Sequence, residues 1–229
     1  MDQIIAVDTD IAVHARESAA WAQYGVDILR VDAMHEAITR LARGEVYLFV
    51  AINEDTIDYA GQLPLLRDMT DTPIFVITSH YTTDKKTHAL SLGADVYDPF
   101  AEISVQNIRG ALELLKLQNK WANRPRQPMP LLIGGNIVLS PSRRKVFVKD
   151  TEVTLTKKEF ELLRHLMANQ GRFLSSAQLL CEVWDDEYHE NGNNVLWQAI
   201  SRLRYKLSEV SPEAEYIKAE REVGYIFLA

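Results

Sequence analysis

Cysteine is almost absent from this sequence, because Cys181 is the only one among 229 residues. A single cysteine excludes an internal disulfide and is typical of proteins in a reducing compartment. Long apolar runs are absent too: the longest, "VYLFVAI" at 46–52, is far shorter than a membrane-spanning helix. The opening residues, "MDQIIAVDTD", place an acid before a short apolar run, which is unlike a signal peptide. We therefore expect a cytoplasmic protein without a membrane partner.

The motifs that mark catalytic sites are also missing from the sequence. We find no paired nucleophile and base, no glycine-rich phosphate loop and no cluster of metal-binding side chains. His80 and His88 lack metal-ligand spacing and have no cysteine nearby, so we interpret them as surface residues. The sequence therefore predicts neither an enzyme nor a metal site.

The net charge of −7 is divided unevenly between the two halves of the chain. Residues 1–120 carry 10 lysines and arginines against 18 acids, whereas residues 121–229 carry 15 against 14. Within the second half, "NGNNVLWQAISRLRYKLS" at 191–208 contains three basic residues and no acid. Such an asymmetry between halves is typical of chains that bind nucleic acid through one of them.

The first half alternates apolar runs of strand type with runs of helical spacing. The strand-like runs at 4–7, 46–52, 73–78 and 93–97 are short and apolar, as in strands covered on both faces. The segments between them have helical spacing and end near glycine or polar residues. This alternation predicts an α/β domain over 1–120, with a doubly wound, five-stranded parallel sheet of the flavodoxin-like type.

The composition changes at "ANRPRQPMP", where three prolines and two arginines predict an exposed linker over 121–130. The segment 131–229 begins with short strand-like runs separated by glycine, Ser-Pro and Lys-Asp turns. Thr156 and Glu159 then form a capping box that starts the first of three helices, the last of which covers about 193–208. A closing hairpin completes the element order of a winged helix-turn-helix, an α+β domain.

Three stretches of the second half resemble the DNA-binding domain of OmpR/PhoB-type response regulators. They are "LTKKEFELLRHLMANQGRFLSSAQLLCEVW" at 155–184, "ISRLRYKL" at 200–207 and "YIKAEREVGY" at 216–225, in the family's order and spacing. The first half resembles the family's receiver domain through "IIAVDTD", "TPIFVITS" and "GADVYDPF". The resemblance implies a transcription regulator that binds double-stranded DNA.

The third predicted helix has two chemically distinct faces. Its apolar residues recur at the spacing of one face that packs into a core; they are Leu196, Ile200, Leu203 and Leu207. The opposite face carries side chains that can donate hydrogen bonds to base edges and phosphates; they are Asn194, Gln198, Ser201, Arg202 and Tyr205. Arg204 lies nearer the apolar stripe, so we expect it to anchor a phosphate or brace the helix.

The resemblance places a further DNA contact in the wing, which is the closing hairpin of the second half. Arg221 stands where the family has an arginine, and this implies a contact with the minor groove or a phosphate. Glu222 stands where the family usually has glycine, which implies a different placement of the tip of the wing.

A receiver domain is switched by transient phosphorylation of an aspartate. The reaction requires carboxylates that hold Mg²⁺, a free acceptor carboxylate and a cation that balances the product's charge. Asp8 matches the first metal-holding carboxylate, whereas Thr9 stands where the second is usual and Asp10 would have to substitute for it. The resemblance therefore implies no cofactor beyond a weakened Mg²⁺ site at Asp8 and Asp10.

The acceptor and the cation are altered as well. The acceptor position falls on Ile52 or Asn53, depending on a one-residue choice of register, and neither side chain can form an acyl phosphate. Thr78 remains at the position that reports the phosphoryl oxygen, but Asp98 replaces the lysine, and a carboxylate there would repel an acyl phosphate. We interpret the first half as a pseudo-receiver that has lost its usual trigger.

Three hypotheses follow from these residues. The first is a homodimeric, sequence-specific DNA-binding regulator that acts without aspartyl phosphorylation. The second keeps a conventional two-component mechanism, with Asp55 or Asp58 as a displaced phosphate acceptor. The third makes the first half a sensor of a ligand or partner in the vacated pocket, which is lined by Asp8, Asp10, Thr78 and Asp98.

The family resemblance also implies two protein partners. Family members pair through the segments matching about 83–92, 94–97 and 102–118. The residues predicted for this homodimer interface are Lys85, Lys86, Glu102, Ile103, Ile108, Arg109, Leu112 and Glu113. The acidic loop "WDDEYHENGNN" at 184–194 precedes the third helix, and in the family such a loop contacts RNA polymerase.

Overall fold

A computed structural model of the protein describes residues 2–10, 21–99, 110, 113, 131–184 and 192–228. The chain divides into two compact units, Met1–Pro128 and Met129–Ala229. Each unit has an apolar core of its own. The two units therefore correspond to two separate domains.

The first unit is built on a five-stranded parallel sheet in the order β2-β1-β3-β4-β5. Its strands are β1 Asp2–Val7, β2 Val26–Val31, β3 Val50–Asn53, β4 Ile74–Thr78 and β5 Val96–Pro99. The strand order reverses between β1 and β3, and at such a reversal the carboxyl ends of the strands flank a crevice where ligand sites form. This architecture confirms the predicted doubly wound sheet.

Strands β1, β3 and β4 are covered on both faces, which is why their sequences are apolar runs. Ile5, Ile52 and Val76, one from each strand, are fully buried. Strand β2 lies at the edge of the sheet, and residues 28–30 in it are only half-buried, so no apolar run marks it. The apolar run at 46–52 enters the sheet only at its fifth residue, where β3 begins; before that point Tyr47 and Phe49 are buried, whereas Val46 is 87% exposed.

Three helices of the first unit lie within the described residues: α1 Met34–Ala42, α2 Leu63–Met69 and α3 Thr83–Leu92. Helix α3 begins where the Thr82 hydroxyl accepts a hydrogen bond from the Lys85 N–H. It ends at Gly93, whose φ of 117° lies in the region that favours glycine. Ala89 is the one buried residue of α3, so most of this helix faces away from the core.

The second unit opens with a four-stranded antiparallel sheet, continues with three helices and closes with a hairpin. The sheet contains β6 Leu132–Gly134, β7 Ile137–Ser140, β8 Lys145–Val148 and β9 Thr151–Glu152. The helices are α4 Lys157–Ala168, α5 Ser176–Trp184 and α6 Gly192–Val210, and the hairpin pairs β10 Ile217–Glu220 with β11 Gly224–Phe227. This element order confirms the predicted winged helix-turn-helix.

The inner faces of the three helices form the core of the second unit together with the sheet and the hairpin. The apolar stripe predicted for α6 is at most 1% exposed; it comprises Leu196, Ile200, Leu203 and Leu207. Helix α4 begins at the predicted capping box, in which Thr156 and Glu159 exchange side-chain-to-backbone hydrogen bonds. Cys181 lies exposed on α5. Within the described ranges, no helix is both long and apolar enough to cross a membrane.

Candidate DNA-binding surface and receiver pocket

The outer face of α6 carries the polar residues predicted to contact DNA. Four are exposed, namely Asn194, Gln198, Arg202 and Tyr205, and Ser201 is half-buried. The Tyr205 side chain makes a hydrogen bond with Glu209, which raises the pKa of the Tyr205 hydroxyl. This face therefore presents neutral donors and one guanidinium to solvent.

Arg204 and Lys206, in contrast, contact the protein itself. Arg204 Nε donates to the Ile217 carbonyl at 3.0 Å, which joins α6 to β10. Lys206 Nζ lies 2.7 Å from Glu159 Oε2 and so joins α6 to the first turn of α4. Burial acts to raise the pKa of Glu159, but the hydrogen bonds from Lys206 and Thr156 outweigh it, and the pKa is lowered. Both basic residues therefore brace the helix.

Arg202 is the basic residue of α6 that faces solvent. In the part of the chain that the structure describes, no acid or carbonyl pairs with its guanidinium. A guanidinium has five donors in a fixed planar arrangement, and two of them match the O6 and N7 acceptors of guanine. Arg202 is therefore available for a base or a phosphate.

The wing, formed by β10 and β11, is fixed at its base and open at its tip. Leu174 and Tyr225 exchange backbone hydrogen bonds of 2.8 and 2.9 Å, and a Cβ on Gly224 would overlap the Leu174 carbonyl. At the tip, the Arg221 side chain is 94% exposed, and Glu222 has a φ of 64°. Glycine adopts this left-handed backbone with the least strain, which explains why the family usually has glycine where Glu222 stands.

The carboxyl ends of β1, β3 and β4 bring together a receiver pocket, formed by Asp8, Asn53, Asp55, Thr56 and Thr78. At the position of the acceptor, Ile52 is fully buried, whereas Asn53 lies in the pocket and its Oδ1 accepts the Asp55 N–H at 3.0 Å. Asn53 therefore supports the loop after β3 through its side-chain amide.

The Asp55 side chain, which is 24% exposed, turns back toward the end of β4. Its Oδ1 accepts from the Thr78 hydroxyl at 2.9 Å, and its Oδ2 accepts from the Ser79 N–H at 2.7 Å. Partial burial acts to raise the pKa of Asp55, but hydrogen bonds from Ser79, Thr78 and His80 outweigh it and lower the pKa to about 2. Asp55 is therefore a firmly held carboxylate at neutral pH.

Asp8 is bound by two donors from within the domain. Its Oδ1 accepts from the Thr56 hydroxyl at 2.9 Å and from the Asp10 N–H at 2.8 Å. Asp10 itself is exposed. Among the described residues, no group of three or more His, Cys, Asp or Glu side chains is placed to hold a metal ion. Asp8 Oδ1 therefore already accepts two hydrogen bonds, and the Mg²⁺ site at Asp8 and Asp10 stays a prediction.

Asp98 and the lysines of α3 form ion pairs at the surface. Lys86 Nζ lies 3.7 Å from Asp98 Oδ1, and Lys85 Nζ lies 2.8 Å from Glu54 Oε1. Asp98 thus contacts α3 through Lys86, and Lys85 is held by the Glu54 carboxylate.

Comparison with known proteins finds relatives that span both units. A family model described as "Transcriptional regulatory protein, C terminal" matches residues 150–227. Response regulator MprA of Mycobacterium sp. (strain KMS) is 30% identical over 229 residues, covering 98% of this chain and 96% of MprA. The chain belongs to the OmpR/PhoB family of response regulators. Regulatory protein VanR of Enterococcus faecium is 30% identical over 162 residues, covering 70% of this chain and 69% of VanR.

Solved structures of this family include DNA complexes. One contains the Klebsiella pneumoniae RstA DNA-binding domain in complex with the RstA box. It is 28% identical, has a TM-score of 0.39, and covers 43% of this chain and 96% of its own. The match to the C-terminal domain family and the full-length similarity to MprA show that the response regulator described here is a DNA-binding transcriptional regulator of the OmpR/PhoB type.

Five residues of the predicted dimer interface of this response regulator lie outside the described residues; they are Glu102, Ile103, Ile108, Arg109 and Leu112. Glu113 is described as an exposed helical residue. Lys85 and Lys86, predicted to pair across subunits, bind Glu54 and Asp98 of their own chain. The loop predicted to contact RNA polymerase is also outside the described residues over 185–191.

Sequence reasoning missed three residues of these surfaces. Thr56 and Ser79 donate to the pocket carboxylates, a role set by how the loops after β3 and β4 fold back. Trp197 is 60% exposed on α6, although tryptophan in an amphipathic helix is usually assigned to the core. The signal for Trp197 was available, because it lies off the apolar stripe of Leu196 and Ile200.

Proposed function

We propose that this response regulator binds specific DNA sites as a homodimer and does so without phosphorylation of an aspartate. The proposed independence from phosphorylation rests on the hydrogen bonds that the Asp55 carboxylate accepts from Thr78 and Ser79. The guanidinium of Arg202, which is exposed on the outer face of α6 and has no partner among the described residues, supports the proposed binding to DNA.

Phosphorylation of a receiver requires a free carboxylate oxygen for the transfer and donors that then bind the phosphoryl oxygens. Asn53 offers an amide at the acceptor position, and the Thr78 hydroxyl and Ser79 N–H are occupied by Asp55. A phosphoryl group in this pocket would have to displace Asp55 and would also be repelled by its charge. Asp55 therefore substitutes for a phosphoryl group in the contacts that it makes.

The displaced-acceptor hypothesis fits these contacts less well. Transfer of a phosphoryl group to Asp55 would break both of its hydrogen bonds to the end of β4. Asp58 lies on the exposed side of the same loop, where its Oδ1 accepts the Ala60 N–H at 3.3 Å. In both cases Lys85 and Lys86 would have to leave their own carboxylates to balance the added charge.

Helix α3 supports a homodimer that forms in the unmodified protein. It buries Ala89 alone, while Leu90 and the preceding Tyr81 are 39% and 42% exposed. Two winged-helix domains held in one dimer would bind two half-sites, with one α6 in each major groove. The expected result in sedimentation of the untreated chain is a dimer at tens of micromolar.

The phosphorylation part is tested with the full chain, a small phosphodonor and Mg²⁺, followed by intact mass and DNA titration. We expect no gain of phosphoryl mass and no change in DNA affinity. Asp55→Asn and Asp58→Asn are treated in parallel. A Mg²⁺-dependent mass gain in the parent that one of these variants abolishes would identify a displaced acceptor and overturn the proposal.

A further inference from the structure

The outer surface of α6 contains a large apolar side chain that the polar residues predicted for DNA contact do not explain. Trp197 is 60% exposed, whereas Trp21, in the core of the first unit, is 3% exposed. An indole buries 150–250 Å² when it is enclosed, so leaving most of it in water forgoes a large apolar contribution to folding. Trp197 is therefore placed to gain this contribution from a partner.

The position of Trp197 on the helix indicates where this partner lies. At 100° per residue, Trp197 shares a flank of α6 with Asn193, four residues before it, and Arg204, seven residues after it. Asn193 lines a groove together with wing residues Ala219–Tyr225, and Arg204 donates to the Ile217 carbonyl of β10. Trp197 thus lies on the flank of α6 that faces the wing.

The charge of α6 favours nucleic acid over an apolar protein partner. From 192 to 208 the helix contains no acid, and Arg202 is exposed on its outer face. The tip of the wing is of mixed charge, because Glu220 and Glu222 flank Arg221, whose Nε lies 3.7 Å from Glu222 Oε1. In a major groove, the apolar feature that a side chain can recognise is the 5-methyl group of thymine. An exposed indole on an acid-free stretch of helix matches that feature.

We propose that Trp197 is a specificity residue that packs against a thymine methyl in the major groove, on the wing side of the base contacted by Arg202. This inference rests on the proposed binding of α6 in the major groove. Trp197 would then recognise A·T pairs by apolar contact, while Arg202 recognises a different pair by hydrogen bonds.

The experiment begins with selection of binding sites by the full chain from a pool of random DNA duplexes. Each thymine of the selected half-site is then replaced by deoxyuridine, which removes only the methyl group. For the parent, one such replacement should weaken binding about fourfold, the factor that corresponds to about 0.8 kcal/mol for one buried methylene-sized group. For Trp197→Ala, the same replacement should have no effect, because the methyl has lost its partner.

Two further measurements separate this role from a structural or a phosphate-binding one. Trp197→Ala should weaken binding to the intact site about tenfold, with an unchanged slope of affinity against salt, because no phosphate contact is lost. Trp197→Phe, which keeps an aromatic ring, should retain most of the methyl effect. Val195→Ala removes an apolar side chain that is 43% exposed on the opposite flank, and it should leave the methyl effect of the Trp197 thymine intact.

The outcomes distinguish the inference from the function on which it rests. If the parent selects no sequence, both are overturned. If a site is selected and Arg202→Ala weakens its binding, the proposed DNA binding by α6 stands. In that case the role of Trp197 alone is overturned by either of two results: Trp197→Ala keeps the full methyl effect, or the site has no methyl-sensitive thymine. A shallower dependence of affinity on salt in Trp197→Ala would also overturn it, because that result would indicate that Trp197 contacts the DNA backbone and not a thymine methyl.

Discussion

The two units of this response regulator deploy their polar side chains differently. At the end of β4, Thr78 and Ser79 donate to Asp55, and Asp8 accepts from Thr56, so these pocket groups bind one another. On α6, by contrast, Arg202 is exposed and has no partner among the described residues. A pocket whose groups are already paired gains little from a new ligand, whereas an unpaired guanidinium gains much. The comparison indicates that recognition is concentrated in the second unit.

The largest effect is expected at the base of the wing, which keeps the second unit's outward surface in place. Gly224→Ala would drive a Cβ into the Leu174 carbonyl at a φ of 135°, and should destabilise this unit by about 3 kcal/mol or more. Gly171→Ala is the matched control, since its φ is 76° and its Cβ would meet nothing within 4 Å. Urea unfolding of both variants is the measurement. Equal losses would show that the backbone angle alone matters.

Lys206→Ala tests whether a basic residue of α6 contributes to folding stability and not to DNA recognition. The change would leave the Glu159 carboxylate, whose side chain is 5% exposed, without its ion partner. We expect a loss of about 2 kcal/mol in the free energy of unfolding of the second unit. Lys206→Met keeps the apolar stem and separates loss of the charge from loss of packing. A stability within 0.5 kcal/mol (about the scatter of surface substitutions) would contradict the bracing role.

Arg202→Ala should give the converse result. Folding stability should stay within about 0.5 kcal/mol of the parent, because this side chain has no described partner. Binding to the selected site should weaken by about 1–3 kcal/mol, with relaxed specificity at one base position. Arg221→Ala, in the wing, should instead weaken many sequences evenly and reduce the salt slope by about one. If Arg202→Ala binds as tightly as the parent, DNA contacts a different face of α6.

Asp55→Asn should produce the smallest effect, and one that depends on pH. The pKa of Asp55 in the folded protein, about 2, lies below the ordinary value of 3.8, so its stabilisation is complete above pH 4 and is lost as pH falls toward 2. The parent's first unit should therefore lose stability across this window more steeply than Asp55→Asn does. Denaturant unfolding at several pH values measures the slopes. Asp58→Asn is the control and should match the parent, because the Asp58 carboxylate has no bond to β4. Equal slopes for all three chains would exclude a contribution of the Asp55 carboxylate to the stability of the first unit.

The accuracy of sequence-based prediction differed between these regions for physical reasons. The stripe from Leu196 to Leu207 was predicted because helical periodicity is local and the core simply covers it. Strand β2 carried no such signal, since an edge strand is half-buried and its pattern is irregular. The inward turn of Asp55 depends on Thr78, which is 23 residues away and on another strand, so no local pattern encodes it. The exposure of Trp197 could be predicted only from its position around the helix, because it lies off the apolar stripe that packs into the core.

Cys181 has a practical consequence for the dimer question. It is the sole thiol of the chain and lies exposed on α5, so a maleimide dye would mark each subunit once without any engineered cysteine. Mixing donor-labelled and acceptor-labelled protein would then convert subunit exchange into a fluorescence signal that grows with time. The same two dyes, followed during addition of duplexes with one or two half-sites, would report whether the dimer forms on DNA or is already formed before it binds.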